Sequence, residues 1–182
     1  MENITIENII ATSSIADELD LSRLASAIQG SQYEPSDFPG LVIKFTEPRK
    51  IAVILFSNGN IVCTGAKDKN EILDSIQKIK KEIHDEISNF KDSPEITIQN
   101  IVASIKLQTN IQLSDVIKIL PSENIEYNPE KFPGVVYRLD EMNIVILIFE
   151  SGKIVCAGAK TLEEVTTAFQ NIKKALSSLG IS

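Results

Sequence analysis

The decapeptide GNIVCTGAKD, beginning at Gly59, returns as GKIVCAGAKT at Gly152, altered at three positions. It is one block of a longer repetition. NIIATSSI at Asn8 matches NIVASIKL at Asn100, and YEPSDFPGLVIKF at Tyr33 matches YNPEKFPGVVYRL at Tyr127. IAVILFSNGNIVCTGAK at Ile51 matches IVILIFESGKIVCAGAK at Ile144, so the three offsets are 92, 94 and 93 residues. A period that long rules out a solenoid. The chain reads as two copies of one unit, residues 1–91 and 95–182, joined by KDSPE and related by a pseudo-two-fold.

Each copy opens on a β-rich run (Ile4–Ile15; Ile96–Leu107) and continues with a short helix (Leu21–Ile28; Ser114–Leu120). Asp20 and Ser114 are the expected N-caps of those helices. A short extended piece near Tyr33 or Tyr127 leads into a Phe-Pro-Gly turn. Two β-branched strands follow (Leu41–Phe45 with Ile51–Phe56; Val135–Leu139 with Ile144–Phe149). Asn58-Gly59 and Ser151-Gly152 predict hairpins into a further strand, Asn60–Ala66 or Lys153–Ala159. An amphipathic helix closes each copy, on a stripe of Ile72, Ile76, Ile79, Ile83, Ile87 and Phe90 or of Leu162, Val165, Phe169, Ile172, Leu176 and Leu179. The expected class is α+β, with about ten mostly antiparallel strands and helices on one face.

Such a sheet alternates apolar and polar residues when its second face meets water. These strands do not. Ile51, Val53 and Leu55 are apolar, and so are Ala52, Ile54 and Phe56; Ile144, Ile146 and Ile148 share their strand with Val145, Leu147 and Phe149. In the repeated phrase, Ile61, Cys63 and Gly65 oppose Val62, Thr64 and Ala66. Helices cover one face only. The other is therefore covered by a second sheet or a dimer partner, or it is a binding surface.

Composition narrows the class. The 182 residues carry a net charge of −7, which by itself speaks against nucleic acid. Acidic residues at helix and loop positions, Asp17, Glu18, Asp68, Glu71, Asp74, Glu82, Asp85, Glu86, Glu163 and Glu164, account for much of it. No apolar run approaches the ~18 residues of a membrane span. The N-terminus lacks a signal peptide's basic region, so a cytoplasmic location is expected. The two cysteines, Cys63 and Cys156, read as small buried hydrophobes. His84 is expected at the surface. No acid–base pair, triad or metal-ligand set is present, so no enzyme, metal or cofactor is predicted. GNIVCTGAK is not a phosphate loop, because its spacing is one residue too long and its glycines bracket a strand.

In order and in both copies, the chain carries Asn-Ile/Val-x-Ala-Ser/Thr, Tyr-x-Pro-x-x-Phe-Pro-Gly, Leu/Ile-Phe-x-x-Gly-x-Ile-Val-Cys and Gly-Ala-Lys. This set resembles the TATA-box-binding protein family in its archaeal form, over nearly the whole length. The resemblance implies a long curved sheet, a saddle, made of both repeats, with helices on the convex face. It implies a general transcription initiation factor bound to the minor groove of A·T-rich promoter DNA, bending it and recruiting transcription factor B and, indirectly, RNA polymerase. The DNA would be bound by a monomer, with dimerisation off DNA left open, in the nucleoid of an archaeal cell. The alternative is a scaffold that uses the same apolar groove for a peptide or lipid.

By position, the resemblance makes Asn8 and Asn100 an amide pair donating to base acceptors. Ile10, Ile54, Val62, Thr64, Val102, Leu147, Val155 and Ala157 would line the base contact. Phe38 with Phe56, and Phe132 with Phe149, would insert into the DNA, supported by Pro39 and Pro133. Lys44, Lys67, Arg138, Lys153 and Lys160 would contact phosphates, and Asn128, Glu130 and Lys131 would meet transcription factor B. Two positions depart from the pattern: Asn60 stands where a lysine is expected, and Ala157 where a hydroxyl is.

Overall fold

A computed structural model describes residues 4–47, 49–84 and 90–180. Ile87 of the predicted stripe, with Asp85 and Glu86, lies outside the described residues. In chain order the elements are β1 (Thr5–Ser14), α1 (Leu21–Ala27), β2 (Leu41–Phe45), β3 (Ile51–Leu55), β4 (Asn60–Ala66) and α2 (Lys69–Glu82). Then come β5 (Thr97–Lys106), α3 (Leu113–Ile119), β6 (Ile125–Glu126), β7 (Gly134–Leu139), β8 (Ile144–Phe149), β9 (Lys153–Ala159) and α4 (Leu162–Ser177).

The chain forms two compact units, one of Asn8–Gln99 and one of Met1–Glu7 with Asn100–Ser182. The first orders its strands β2-β3-β4-β1 and the second β5-β9-β8-β7-β6. The named pairings within each unit are antiparallel. The extended piece of the first copy is a single bridge, Gln32 with Val42, and that of the second is the two-residue β6. These pieces pair too briefly to count as two full strands.

Burial alternates as the β period requires. Ile51, Val53 and Leu55 of β3 and Ile144, Ile146 and Ile148 of β8 are buried. Ile72, Ile76 and Ile79 of α2 are buried, as are Val165, Ala168, Phe169, Ile172 and Leu176 of α4. Each of these side chains except that of Ala168 contributes about 1.5–3 kcal/mol. Leu162 departs from the predicted stripe and is 60% exposed. It is the first residue after the N-cap Thr161, before the buried face of the helix begins. Asp20 caps α1, accepting from the Arg23 N–H. Ser114 does not cap α3: the helix starts one residue earlier, with Gln112 at the cap position and no side-chain bond there.

Cys63 and Cys156 are buried and unpaired. Burial, with Glu71 near the one and Glu164 near the other, pushes both thiols up to about 11. They are inert at neutral pH, which fits the packing role read from the sequence.

Candidate nucleic-acid interface

In an antiparallel ladder, residues directly opposite each other point to the same side. The strand residues of the first unit with the parity opposite the buried set therefore form two rows, half-exposed but for the exposed Lys44. Val42, Ile54, Val62 and Thr12 are opposed across β2, β3, β4 and β1, and Lys44, Ala52, Thr64 and Ile10 form the second row. The other unit repeats them as Val136, Leu147, Val155 and the buried Ser104, and as the exposed Arg138 with Val145, Ala157 and Val102. The predicted base-contact residues other than Asn8 and Asn100 fall into these rows. Val42, Ala52, Val136 and Val145 belong with them too; strand parity was the signal that could have found them.

Each unit's ladder slips once, between Ile9 and Ile10 and between Ile101 and Val102. Opposite the slip stand Gly65 at φ 101° and Gly158 at φ 109°. A Cβ at Gly65 would lie 2.3 Å from the Lys50 carbonyl oxygen, and one at Gly158 would lie 2.4 Å from that of Asn143. Only glycine fits both the conformation and the space. The slip also reverses parity, so Ala66 and Ala159 are buried, whereas simple alternation groups Ala66 with Val62 and Thr64.

The slip orients the amide pair. The Gly65 N–H donates to Asn8 Oδ1 at 2.7 Å, and the Gly158 N–H to Asn100 Oδ1 at 2.8 Å. A backbone N–H can bond only the oxygen of an amide, so each NH2 group is the end left for other acceptors. Asn8 Nδ2 donates to Thr64 Oγ1 at 3.2 Å. Ala157 occupies the equivalent place beside Asn100, and among the described residues no acceptor meets Asn100 Nδ2.

The four phenylalanines form two edge-to-face pairs. The ring centroids of Phe38 and Phe56 are 6.1 Å apart and those of Phe132 and Phe149 are 5.6 Å apart. Phe38 is 41% exposed, a large apolar side chain offered to solvent. The turns that carry them are built alike: the Phe38 N–H donates to Glu34 O, and the Phe132 N–H to Asn128 O, both at 2.9 Å. Pro39 and Pro133 follow in exposed positions. Asn128, Glu130 and Lys131 are exposed on the second turn, where Asn128 Oδ1 also accepts from the Glu130 N–H at 3.2 Å.

Charges stand at the margins of the rows. Lys44 Nζ donates to Gln32 Oε1 at 3.1 Å, and Arg138 lies 3.6 Å from Glu126. Lys153 lies 3.4 Å from Glu7, which also accepts from Ser104 Oγ at 2.7 Å. Glu7 sits beside these residues and was missed in the sequence, because its partners are 97 and 146 residues away. Lys67 and Lys160 stand one residue past β4 and β9, outside the rows; their N–H groups donate to Glu71 and Glu164 at 2.7 and 2.6 Å. Among the described residues no group of His, Cys, Asp and Glu could hold a metal ion, and no helix is long and apolar enough to cross a membrane.

Comparison with known proteins gives one answer. The family model described as transcription factor TFIID (or TATA-binding protein, TBP) matches twice, over residues 3–85 and 95–179. The TATA-box-binding protein of Picrophilus torridus is 46% identical over 181 residues, covering 100% of this chain and 98% of that protein. That of Haloarcula marismortui is 43% identical over 180 residues, covering 99% and 96%. The solved structure of Methanococcus jannaschii TBP is 41% identical with a TM-score of 0.89, covering 97% of this chain and 99% of that one.

Proposed function

Because the chain belongs to the TATA-binding protein family of general transcription initiation factors that bind TATA-box DNA, we propose that its half-exposed apolar rows bind the minor groove of A·T-rich promoter DNA. The observation that carries this reading is the fixed polarity of Asn8 and Asn100, whose oxygens are held by glycine N–H groups. The A·T minor groove presents only acceptors, adenine N3 and thymine O2. Two NH2 groups within an apolar surface, one of them also donating to Thr64 Oγ1, complement it. The guanine amine of a G·C pair is a protruding donor that such a surface repels.

The phenylalanine pairs are the wedges. This family is itself a general example of minor-groove binders that insert apolar side chains and kink the duplex, so that role comes with the family. In this chain each pair joins a ring held on a hydrogen-bonded turn to one at a strand end. The exposed turn around Asn128, Glu130 and Lys131 is the docking site for transcription factor B, through which polymerase is recruited. Reversing both charges, Glu130→Lys with Lys131→Glu, is expected to weaken the ternary complex and spare binary DNA binding; equal loss of both refutes that assignment.

The test of the function is equilibrium titration with an A·T-rich duplex and a G·C-rich duplex of equal length. Preference for the first is expected. Equal affinity for the two would overturn minor-groove reading and turn attention to a peptide or lipid in the same apolar groove.

A further inference from the structure

The two units differ in charge at one equivalent corner. In one, Lys106 and Lys153 are opposed across β5 and β9, with Glu7 3.4 Å from Lys153 Nζ. In the other, Ser14 and Asn60 are opposed across β1 and β4. Gln99 takes the place of Glu7 there and donates to Thr12 Oγ1 at 2.8 Å. Two cations and a carboxylate are thus replaced by three neutral residues.

The segment joining the repeats brings a cation to the neutral corner. The Lys91 N–H donates to Ile15 O at 2.7 Å, which pins the backbone beside the end of β1. Lys91 Nζ donates to Ser14 Oγ at 2.8 Å, next to Asn60 in the ladder. Lys91 lines an open cavity of about 670 Å³ together with Asn60 and with Thr12, Val62 and Phe56, residues of the proposed DNA-binding rows and wedge. Its side chain is 42% exposed. Asp17 lies 3.4 Å away but is 85% exposed, and a surface pair of that kind holds a cation weakly.

We propose that Lys91 is a DNA phosphate contact, supplying from the linker the positive charge that Asn60 does not. The proposal rests on the minor-groove reading above and assigns one cation within it. Each phosphate neutralised by a cation adds about 0.9 to the slope of log K against log salt. A lysine that merely tethers the linker adds nothing to that slope.

The experiment is a salt-series titration of an A·T-rich duplex with wild type, Lys91→Gln, and Lys91→Gln combined with Asn60→Lys. The expected result is a slope shallower by about 0.9 for Lys91→Gln, so that raising salt from about 50 to 200 mM costs wild type about 3.5-fold more affinity than it costs the variant. The double variant, with its cation returned on β4, regains the wild-type slope. Both the drop and its restoration are required. An unchanged slope, or a loss that Asn60→Lys does not restore, overturns the proposal. If wild type itself shows no preference for A·T-rich over G·C-rich DNA, the minor-groove reading fails first and takes this assignment with it.

Discussion

Asn8 and Asn100 each do two things with one amide. The oxygen satisfies a glycine N–H opposite the slip in the ladder, and the NH2 is the end left for other acceptors, that of Asn8 donating to Thr64 Oγ1. The two roles separate by substitution. Asparagine to aspartate keeps the acceptor and removes the donor, so the double Asp variant is expected to keep its fold while losing about 1–3 kcal/mol of A·T-rich binding for each lost set of base contacts. Alanine removes the acceptor as well and costs stability in addition, about 1–3 kcal/mol for each N–H left without a partner. Urea unfolding beside DNA titration checks this; an Asp variant that binds as wild type does refutes the donor role. The equivalent places of these residues, fourth in β1 and fourth in β5, were legible from the repeat. Their orientation was not, because it depends on a slip visible only once β1 and β4, or β5 and β9, are paired.

At the scale of elements, sequence periodicity located the strands that line the rows, since both parities were apolar and only one could face the helices. It missed where short-range cues are weak. Ser114 looks like a cap, yet Leu113 joins the helix because its side chain is buried, and that packing outweighs the capping preference. Phe-Pro-Gly was read as a turn with glycine at positive φ, yet the hydrogen-bonded turns lie just before it, at residues 35–37 and 129–131, and neither Gly40 nor Gly134 takes a positive φ, Gly134 already opening β7; that each ring would meet a second ring from a neighbouring strand end is a tertiary fact. Unstacking a base step costs a few kcal/mol, recovered when bent DNA wraps more protein surface. The pair Phe38→Ala with Phe56→Ala is therefore expected to reduce the DNA bend and speed dissociation, with a mismatched step at that end restoring much of the loss. DNA end-to-end distance by energy transfer measures the bend, and an unchanged distance in a four-alanine variant would rule out insertion.

For the molecule as a whole, a net charge of −7 and a polyanionic ligand are reconciled by where the cations lie. Six are proposed as phosphate contacts: Lys44, Lys67, Lys91, Arg138, Lys153 and Lys160. Lys91, Arg138 and Lys153 already face a carboxylate, Asp17, Glu126 and Glu7 respectively. Six fully released contacts would give a salt slope of about −5.4. The expected slope is shallower, because those carboxylates neutralise part of the charge before DNA arrives. A steeper slope would mean that affinity is dominated by counterion release and not by apolar burial. The duplication was the most legible property of the chain, yet the repeats and the compact units divide it differently. Repeats are read from residue identity, whereas compact units follow contacts such as the bond from Ser13 Oγ to Glu95 O, which ties the linker to β1. The slipped ladder also bears on how the copies could diverge. Gly65 approaches the carbonyl of Lys50 and Gly158 that of Asn143, in each case the last residue before the next strand. The connections ending there differ in length, residues 46–50 in one copy and 140–143 in the other. Insertion and deletion are thus open to evolution upstream of that carbonyl and closed at it, so each copy can lengthen or shorten its hairpin while the amide beneath keeps its aim.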